Sequence, residues 1–200
     1  MCGRFYIETD DTPAELMRLL ASVSDAGGAP LARGEIRPGD AACVLAPDRE
    51  RRAAKPFGMR WGYPLPRGLV INARLETAAE RPLFRDSFRR RRCLIPASGW
   101  LEWDHREARP KPYLFSAADS PWLFLAGLYR LTDERRAEFT ILTREPLPEL
   151  RPFHDRMPLA LLPEEGAAWL DGKEPNPLSR VHWTPWIKPG TETQLSFLEM

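Results

Sequence analysis

Cysteine is scarce in this sequence, and the few cysteines present form no recognisable pair. The chain has three cysteines, an odd number, and no CxxC segment: Cys2, Cys43 and Cys93. A disulfide framework or a zinc finger would need cysteines paired at short spacing, so neither class of protein is supported. The chain also has few histidines and no His/Cys pair at metal-ligand spacing, so we predict neither a metal site nor a cofactor.

Long apolar segments are missing as well. No run approaches the roughly 20 apolar residues of a membrane-spanning helix, and the first residues lack the apolar core of a signal peptide. We therefore predict a cytoplasmic protein without membrane contact, in a reducing compartment that keeps thiols free. The formal net charge is only +1, so binding to nucleic acid would depend on a local basic patch.

The composition is that of a globular protein, with 43% hydrophobic and 28% charged residues. Proline is frequent and dispersed, which favours turns and strand ends over long helices. The pattern predicts one α+β domain over residues 1–200, built on a mainly antiparallel, barrel-like sheet. The predicted strands are 41–47, 69–74, 93–103, 112–117, 122–131, 138–143 and 182–187. The predicted helices are 10–21, 81–92 and 163–170, and the predicted loops are 24–40 and 48–55.

Cys2 stands directly behind the initiator methionine, where a cysteine has a reactivity that no interior position provides. Removal of Met1 would leave an α-amine and a thiol on adjacent carbons, with ordinary pKa values of about 7.7–8.0 and about 8.5. An aldehyde would condense with the amine and be trapped by the thiol as a five-membered thiazolidine, whereas an acyl substrate would meet the thiolate. The alternative is a small hydrophobic residue buried near the terminus, a frequent environment of free cysteine.

Glu102 is the second candidate, in the segment SGWLEWD, where Trp100 and Trp103 stand close to it. A carboxylate among aromatic side chains loses hydration, which raises its pKa and suits it to general acid–base catalysis. The alternative is a glutamate that faces water from an antiparallel strand.

His154 and Asn72 are further candidates. His154, followed by Asp155, is suited to proton transfer near neutral pH, although a lone histidine is more often structural or solvated. In the strand segment INAR, Asn72 and Arg74 share one face, where the amide suits an oxygen ligand and the guanidinium a phosphate. The alternative for this pair is the solvated face of a strand.

Arginines interspersed with aromatic residues point to single-stranded nucleic acid, because phosphates bind cations and bases stack on aromatic rings. The candidates for such contacts are Arg4, Trp61, Arg74, Trp100 and Arg156. The run Arg89–Arg92 is less informative, because arginines at a helix C-terminus also complement the helix dipole and face water.

Five segments occur in an order that is more specific than any one of them: MCGRF, WGYPLP, INARLETAAERPLFRDSF, CLIPASGWLEW and HDRMPLAL. Together, from Cys2 to about Trp186, they resemble the SRAP family, the SOS response-associated peptidases. The resemblance implies a single mixed domain around a twisted, barrel-like antiparallel sheet with a basic groove. It also implies recognition of abasic sites in single-stranded DNA, at the nucleoid, and their capture by the N-terminal cysteine in a thiazolidine DNA–protein crosslink.

The resemblance implies a role for each candidate. Cys2 matches the family nucleophile, and Asn72 matches an asparagine near the sugar. Glu102 matches a catalytic glutamate that assists sugar-ring opening and proton transfer, and His154 matches a histidine that acts on the Schiff base and in crosslink reversal. The positions that match basic residues near DNA phosphates are Arg4, Arg74 and Arg156.

Two segments depart from the family pattern. EIRPGD (35–40) stands where many members carry Asn-x-Ala-Pro, and PLPRGL (64–69) replaces an aliphatic–aromatic tip. Because the second segment would lie beside the abasic gap, its lack of aromatics removes a stacking contact worth roughly 1–3 kcal/mol per base. We expect a monomer whose partner is abasic single-stranded DNA, and the sequence identifies no protein partner at a replication fork.

Three other functions fit some of these residues. Glutamine amidotransferases with an N-terminal nucleophile also begin with MCG, but Arg4-Phe5 departs from their pattern. A non-catalytic single-strand DNA-binding module would need the basic and aromatic residues and not the thiol. A peptidase acting on other proteins would use Cys2, His154 and Glu102 as a Cys-His-acid set.

Overall fold

The computed structural model describes residues 2–8, 10, 12–23, 31–48, 53–104, 106, 109–132 and 136–186. The first strands in these ranges are β1 (Arg4–Ile7), β2 (Gly34–Ile36), β3 (Ala41–Pro47), β4 (Ala54–Trp61), β5 (Tyr63–Leu65), β6 (Gly68–Val70), β7 (Asn72–Arg74) and β8 (Arg92–Ala97). They are followed by β9 (Gly99–Asp104), β10 (Lys111–Ala117), β11 (Leu123–Leu131), β12 (Ala137–Arg144), β13 (Met157–Pro158), β14 (Ala160–Leu161) and β15 (Val181–Pro185). The helices are α1 (Ala14–Ala21), α2 (Leu75–Ala78), α3 (Arg85–Arg90) and α4 (Gly166–Leu170), with 3₁₀ turns at Pro148–Leu150 and Pro163–Glu165.

A barrel forms the centre of the fold. Its strands follow the order β12, β4, β3, β8 and β11, and β11 pairs again with β12 to close the circle. The β4–β12 pair is parallel and the other pairs in the circle are antiparallel, so the barrel is mixed. The short strand β7 adds to β12 in parallel, which fixes the segment that carries Asn72 against the barrel.

A second sheet packs against the barrel, with the antiparallel order β15, β10, β9, β1 and β2. Large aromatic side chains join the two sheets. The ring centroids of Phe5 on β1 and Trp61 on β4 lie 5.2 Å apart, and Trp61 stacks on Phe139 of β12 at 6.2 Å. These rings are fully buried, and burying a large apolar side chain stabilises a fold by about 1.5–3 kcal/mol.

The predicted fold class is confirmed: an α+β fold on a mainly antiparallel, barrel-like sheet with a few short helices. The predicted strand 41–47 is confirmed with its bounds. No helix in the described part of the chain is long and apolar enough to cross a membrane. That residues 1–200 form one domain stays a prediction.

Two predicted strands are each divided in the structure. The predicted strand 69–74 breaks at Ile71, because β6 pairs with β5 in a hairpin while β7 pairs with β12. The predicted strand 93–103 breaks at Ser98, whose amide donates to Tyr6 O at 2.8 Å while its hydroxyl accepts the Glu8 amide at 2.8 Å. Ser98 is therefore the corner between the barrel strand β8 and the second-sheet strand β9.

The helices are shorter than predicted. Helix α1 begins at Ala14 after Pro13, and no side chain caps it. Helix α3 covers Arg85–Arg90 within the predicted 81–92, and the predicted helix 163–170 is a 3₁₀ turn followed by α4.

Several strands were not predicted from the sequence. They are β1, β2, β4, β5, β13 and β14; β2 lies in the predicted loop 24–40, and β4 begins in the predicted loop 48–55. All but β4 are two to four residues long, and β4 is interrupted by Pro56 and Gly58, so none shows the alternation that identifies a strand. Each forms by pairing with a neighbouring strand. Parts of the predictions at 24–30, 49–52 and 187, as well as residues 1, 9, 11, 105, 107–108, 133–135 and 188–200, lie outside the described residues.

Candidate active site

Cys2 lies just before β1 and is fully buried. Its thiol approaches the carbonyl oxygen of Arg4 at 3.7 Å, and its own carbonyl oxygen accepts a hydrogen bond from Asn72 Nδ2 at 2.9 Å. Burial raises the pKa of the thiol far above its ordinary value, and the negative charge of Glu102 adds to this rise. The thiol is therefore protonated at neutral pH, and it lies within electrostatic range of Glu102.

Asn72 is positioned by the barrel. The preceding residue, Ile71, accepts hydrogen bonds from the indole Nε1 of Trp61 at 3.0 Å and from the amide of Ile141 at 3.0 Å. The Nδ2 of Asn72 is occupied by Cys2, whereas its Oδ1 is buried and has no hydrogen-bond partner. Because a buried acceptor without a partner is unfavourable, this oxygen is suited to receive a donor from a bound ligand.

Glu102 lies on β9 and is only 4% exposed. Burial raises its pKa to about 7, with a further rise from the negative charge of Asp155 and an opposing effect of the positive charge at the chain's amino terminus. One carboxyl oxygen, Oε1, is buried without a hydrogen-bond partner. The prediction of a desolvated carboxyl group with a raised pKa is confirmed, and the alternative of a solvated glutamate is wrong.

The segment that carries His154 packs beside the strand that pairs with β9. The Phe153 ring packs edge-on against Tyr113 at 5.2 Å, and Tyr113 on β10 is the cross-strand partner of Glu102 on β9. The influence of Asp155 on the pKa of Glu102 places the following turn beside the same carboxyl group. The His154 side chain is 28% exposed, so part of its ring is open to solvent.

His154 Nδ1 has two close contacts. The backbone N–H of Arg156 donates to it at 2.9 Å, and it lies 2.7 Å from Asp155 Oδ1. The first contact requires an unprotonated Nδ1, whereas a hydrogen bond to the carboxylate requires a protonated one, so a single tautomer does not satisfy both.

The arginines of the predicted DNA interface differ in their exposure and in the ion pairs that they form within the protein. Arg4 is 37% exposed, but Nη1 lies 2.5 Å from Glu35 Oε1 and its guanidinium covers the Trp103 ring at 4.7 Å. Arg74 is exposed, and the structure records no hydrogen bond or ion pair of its side chain within the described residues.

Arg156 is mostly buried and links the segment before β13 to helix α2 and strand β12. Its Nη2 donates to Glu76 Oε2 and to the Thr143 carbonyl oxygen, both at 2.7 Å. The hydrogen bond from Arg156 is the main cause of the lowered pKa of Glu76, and the charge of Arg74 contributes to it. Arg74 therefore lies near the Arg156–Glu76 pair. Of Arg4, Arg74 and Arg156, it is the one most available to a phosphate.

Trp61 and Trp100 do not fit the predicted role of stacking platforms. Both rings are fully buried, so neither offers a face to a nucleobase. Trp61 instead packs between Phe5 and Phe139 and holds Ile71 through its indole nitrogen, while Trp100 stacks on Phe115 at 5.7 Å. Aromatic residues beside a candidate site are as suited to its core as to its surface, and sequence does not separate the two.

The arginine run at the end of α3 is partly exposed: Arg89 and Arg90 face solvent, whereas Arg91 and Arg92 contact other groups of the protein. Arg91 pairs with Asp86, and the Arg92 guanidinium lies over the rings of Phe88 at 4.6 Å and Trp169 at 4.2 Å. Arg92 also donates to the carbonyl oxygens of Phe88 and Lys173, so it ties α3 to the end of α4. The exposure of Arg89 and Arg90 agrees with the interpretation that the run faces water at the helix end, whereas Arg92 departs from it.

Sequence reasoning did not find three residues that shape the site: Tyr113, Phe153 and Asp155. Their contribution depends on the register of β10 with β9 and on the turn before β13, which bring them to Glu102. The only available signal was the position of Phe153 and Asp155 on either side of His154. Among the described residues, no three His, Cys, Asp or Glu side chains come together as a metal site.

Comparison with known proteins places this chain in a family. The family model of the SOS response associated peptidases (SRAP) matches residues 1–199. This chain belongs to the SRAP family. The predicted resemblance is thereby confirmed over almost the whole chain.

Individual relatives of this SRAP chain agree with the family match. The abasic site processing protein YedK of Escherichia coli strain K12 is 30% identical over 207 residues, which cover 92% of this chain and 91% of that protein. The abasic site processing protein YobE of Bacillus subtilis strain 168 is 35% identical over 113 residues, which cover 54% of this chain and 52% of that protein.

A solved structure supports the fold of this SRAP chain. A protein from Bordetella bronchiseptica superposes with a TM-score of 0.71 at 22% identity, covering 93% of this chain and 100% of that one. At that identity the likeness concerns the fold alone, and it agrees with the barrel and second sheet described above.

Proposed function

We propose that this SRAP protein recognises abasic sites in single-stranded DNA and captures them covalently through Cys2 after removal of Met1. Its relatives are named abasic site processing proteins, which supports the lesion as the substrate. The observation that carries the chemistry is the enclosure of the Cys2 thiol with Asn72 and Glu102. Each of these two residues has a buried oxygen without a hydrogen-bond partner.

The proposed reaction joins the open sugar to the N-terminal residue and releases one water overall. The α-amine of processed Cys2 adds to the C1′ aldehyde, and loss of water from the adduct gives an imine. Cys2 Sγ then attacks the imine carbon and the thiol proton is transferred to the nitrogen, which closes a thiazolidine. With Met1 retained, the nitrogen of Cys2 is an amide, so the first step does not occur.

Glu102 is the proton carrier in this proposal. A carboxyl group with a pKa of about 7 is present in both forms near neutral pH, so it can donate a proton to the departing water and accept one from the thiol. The thiol needs such a base because burial and the charge of Glu102 keep its own pKa high. Cys2 and Glu102 therefore form an acid–base pair, in which ionisation of one raises the pKa of the other.

Asn72 and His154 have supporting roles in this proposal. Asn72 holds the Cys2 carbonyl oxygen through Nδ2 and offers Oδ1 to a hydroxyl of the open sugar. His154, whose ring is partly exposed, can donate a proton to the sugar oxygen or to the imine. Arg74, and Arg4 at the edge of its ion pair with Glu35, are placed to bind the flanking phosphates.

A denaturing gel tests the covalent step. Untagged protein with verified loss of Met1 is mixed with a single-stranded oligonucleotide that carries one abasic site, beside the same oligonucleotide with an intact base. We expect a heat-stable shifted band with the abasic DNA alone. Cys2→Ala should give no such band but should still bind DNA in a salt-sensitive way, because phosphate contacts do not need the thiol.

Cys2→Ser is the matched control, because serine keeps the α-amine and the side-chain length while it replaces sulfur by a poorer nucleophile. We expect an imine that sodium borohydride traps but little band without the reductant. A missing band from verified N-terminal Cys2 would contradict the proposal. Cys2-dependent ammonia release from glutamine, or turnover of a peptide, would instead identify an amidohydrolase or a peptidase.

A further inference from the structure

One large aromatic side chain near the site faces solvent. Of the large apolar side chains that are exposed in the described part of the chain, Trp183 is the one with an aromatic ring, and it is 45% exposed. It lies on β15, the edge strand of the second sheet. A tryptophan that keeps nearly half of its surface in water has an apolar face available to a ligand.

The strand register places Trp183 on the same face of the sheet as Glu102. Trp183 is the cross-strand partner of Phe115 on β10, and Phe115 is the partner of Trp100 on β9. Directly paired residues in an antiparallel sheet project to the same side, and so do residues two apart on one strand. Trp100 and Glu102 are two apart, so the row that ends in Trp183 borders the row that contains Glu102.

Phe153 connects this exposed ring to the reacting groups. Its ring lies 5.2 Å from Tyr113, 5.1 Å from Phe115 and 6.2 Å from Trp183, so it covers the sheet between Glu102 and the edge strand. The residue that follows it is His154. Trp183 is therefore the outermost ring of an aromatic path that starts beside the candidate active site and ends in solvent.

A cation accompanies the path. The Arg106 guanidinium lies 5.2 Å from the centre of the Phe153 ring and is 60% exposed, although it also pairs with Asp104. Aromatic rings next to positive charge are the surface that single-stranded nucleic acid binds, with bases on the rings and phosphates near the cations. Trp61 and Trp100 cannot provide such a ring because they are buried, whereas Trp183 can.

We propose that Trp183 stacks on a nucleobase that flanks the abasic site, and this inference rests on the function proposed above. Strand β15 is separated from β9 by β10 alone, and neighbouring strands are about 4.8 Å apart, so the two strands lie about 10 Å apart. That separation is short enough for the base to belong to one of the two nucleotides next to the lesion. The contact positions the strand and takes no part in the chemistry.

The stacking is tested by combining substitution of Trp183 with removal of single bases from the DNA and by measuring the binding affinity of each combination. Binding is measured with processed protein and an oligonucleotide that carries a tetrahydrofuran abasic analogue, which has no aldehyde and cannot be crosslinked. Bases within two nucleotides of the analogue are then removed one at a time on either side. At one position we expect removal of the base to weaken binding by the wild type about 5- to 10-fold, as a partly exposed stacking contact would.

Trp183→Leu is the test variant, because leucine keeps apolar contact with Phe153 and removes the ring. It should bind the full oligonucleotide about 5- to 10-fold more weakly, and loss of the same flanking base should have no further effect. Trp183→Tyr should restore most of the affinity and the sensitivity to that base. His182→Ala is the matched control, since it removes an exposed ring from the opposite face of the same strand and should change nothing.

The outcomes separate this inference from the proposed function. Equal binding by wild type and Trp183→Leu, or an equal loss whether or not the flanking base is present, would overturn the stacking. If the crosslink to abasic DNA were normal in that case, the proposed function would hold and only the stacking by Trp183 would be rejected. A base-dependent loss in protein that never crosslinks abasic DNA would keep the stacking and remove the covalent chemistry.

Discussion

Burial affects the chemistry of Cys2 and Glu102 more than any neighbouring charge. It is the largest cause of the raised pKa of both groups, and each is enclosed by the aromatic rings and strands around it. The Cys2 thiol and the Glu102 carboxyl group would both be negative when ionised, so each opposes the ionisation of the other. At least one of the two groups therefore keeps its proton near neutral pH. A retained proton is what an imine-forming reaction needs at the moment when water leaves.

Glu102→Gln should slow crosslinking by about 100-fold, the lower end of what general acid–base catalysis supplies. The wild-type rate should pass through a maximum near pH 7, because the protonated carboxyl group donates to the departing water and the ionised one accepts the thiol proton. The Glu102→Gln variant should lack this maximum and show only the titration of the α-amine. The check is a pH profile of the crosslinking rate for both proteins, and an unchanged rate would remove Glu102 from the mechanism.

The same substitution should affect stability in a pH-dependent way. The folded pKa of Glu102, about 7, lies above its ordinary value of 4.5, so the folded chain holds this proton more tightly than the unfolded chain. The free energy of unfolding therefore falls between about pH 4.5 and pH 7, by up to about 3 kcal/mol. Glu102→Gln should raise stability at pH 8 and have little effect at pH 4, as urea unfolding at both pH values would show.

At the scale of elements, the hairpin of β5 and β6 leads through Ile71 directly into β7, which carries Asn72. A buried ion pair holds the base of this hairpin. Arg130 Nε on β11 donates to Glu138 Oε2 on β12 at 2.8 Å, and its Nη2 donates to the Pro64 carbonyl oxygen at 3.3 Å. The guanidinium also covers the Tyr63 ring at 4.4 Å, so one side chain joins the hairpin to two barrel strands.

Arg130→Met should destabilise the protein by roughly 3 kcal/mol, because it leaves the buried carboxylate of Glu138 without its partner. The added change Glu138→Gln should recover much of this loss, since the uncompensated charge is then gone. Urea unfolding of the single and double variants measures both effects. If the double variant were no more stable than Arg130→Met, packing on Tyr63 rather than charge pairing would be the main contribution of Arg130.

At the scale of the whole molecule, barrel closure depends on a close approach at Gly127. This residue of β11 pairs with Cys93 of β8 on one side and with Ile141 of β12 on the other. A Cβ atom there would lie 2.6 Å from Ile95 Cδ1 and 2.8 Å from the Thr140 carbonyl oxygen. The second contact is with backbone, which cannot move without separating the strands.

Gly127→Ala should therefore destabilise the protein by about 1–3 kcal/mol through overpacking. Gly58→Ala is the matched control in the same barrel, because its Cβ would meet only the flexible end of Leu31 at 3.1 Å. Thermal unfolding compares the two variants, and we expect the larger fall in Tm at Gly127. An equal fall would mean that the strands around Gly127 adjust as readily as a side chain does.

The sequence by itself determined the fold class, the strand 41–47 and the family. Trp100 and Trp103 beside Glu102 also led to the prediction of a raised pKa, but the burial that causes it comes from the packed sheet. The fold class, the strand and the family were predicted from local alternation and from the order of five segments, without knowledge of which strands pair.

Only the tertiary structure decided which aromatic rings face water and which residues meet. Trp100 and Trp183 are both tryptophans on strands of the second sheet, yet a central strand buries the first and the edge strand exposes the second. The breaks at Ile71 and Ser98 arise because consecutive segments pair with different partners. Burial and pairing depend on residues distant in sequence, and a local pattern carries no information about them.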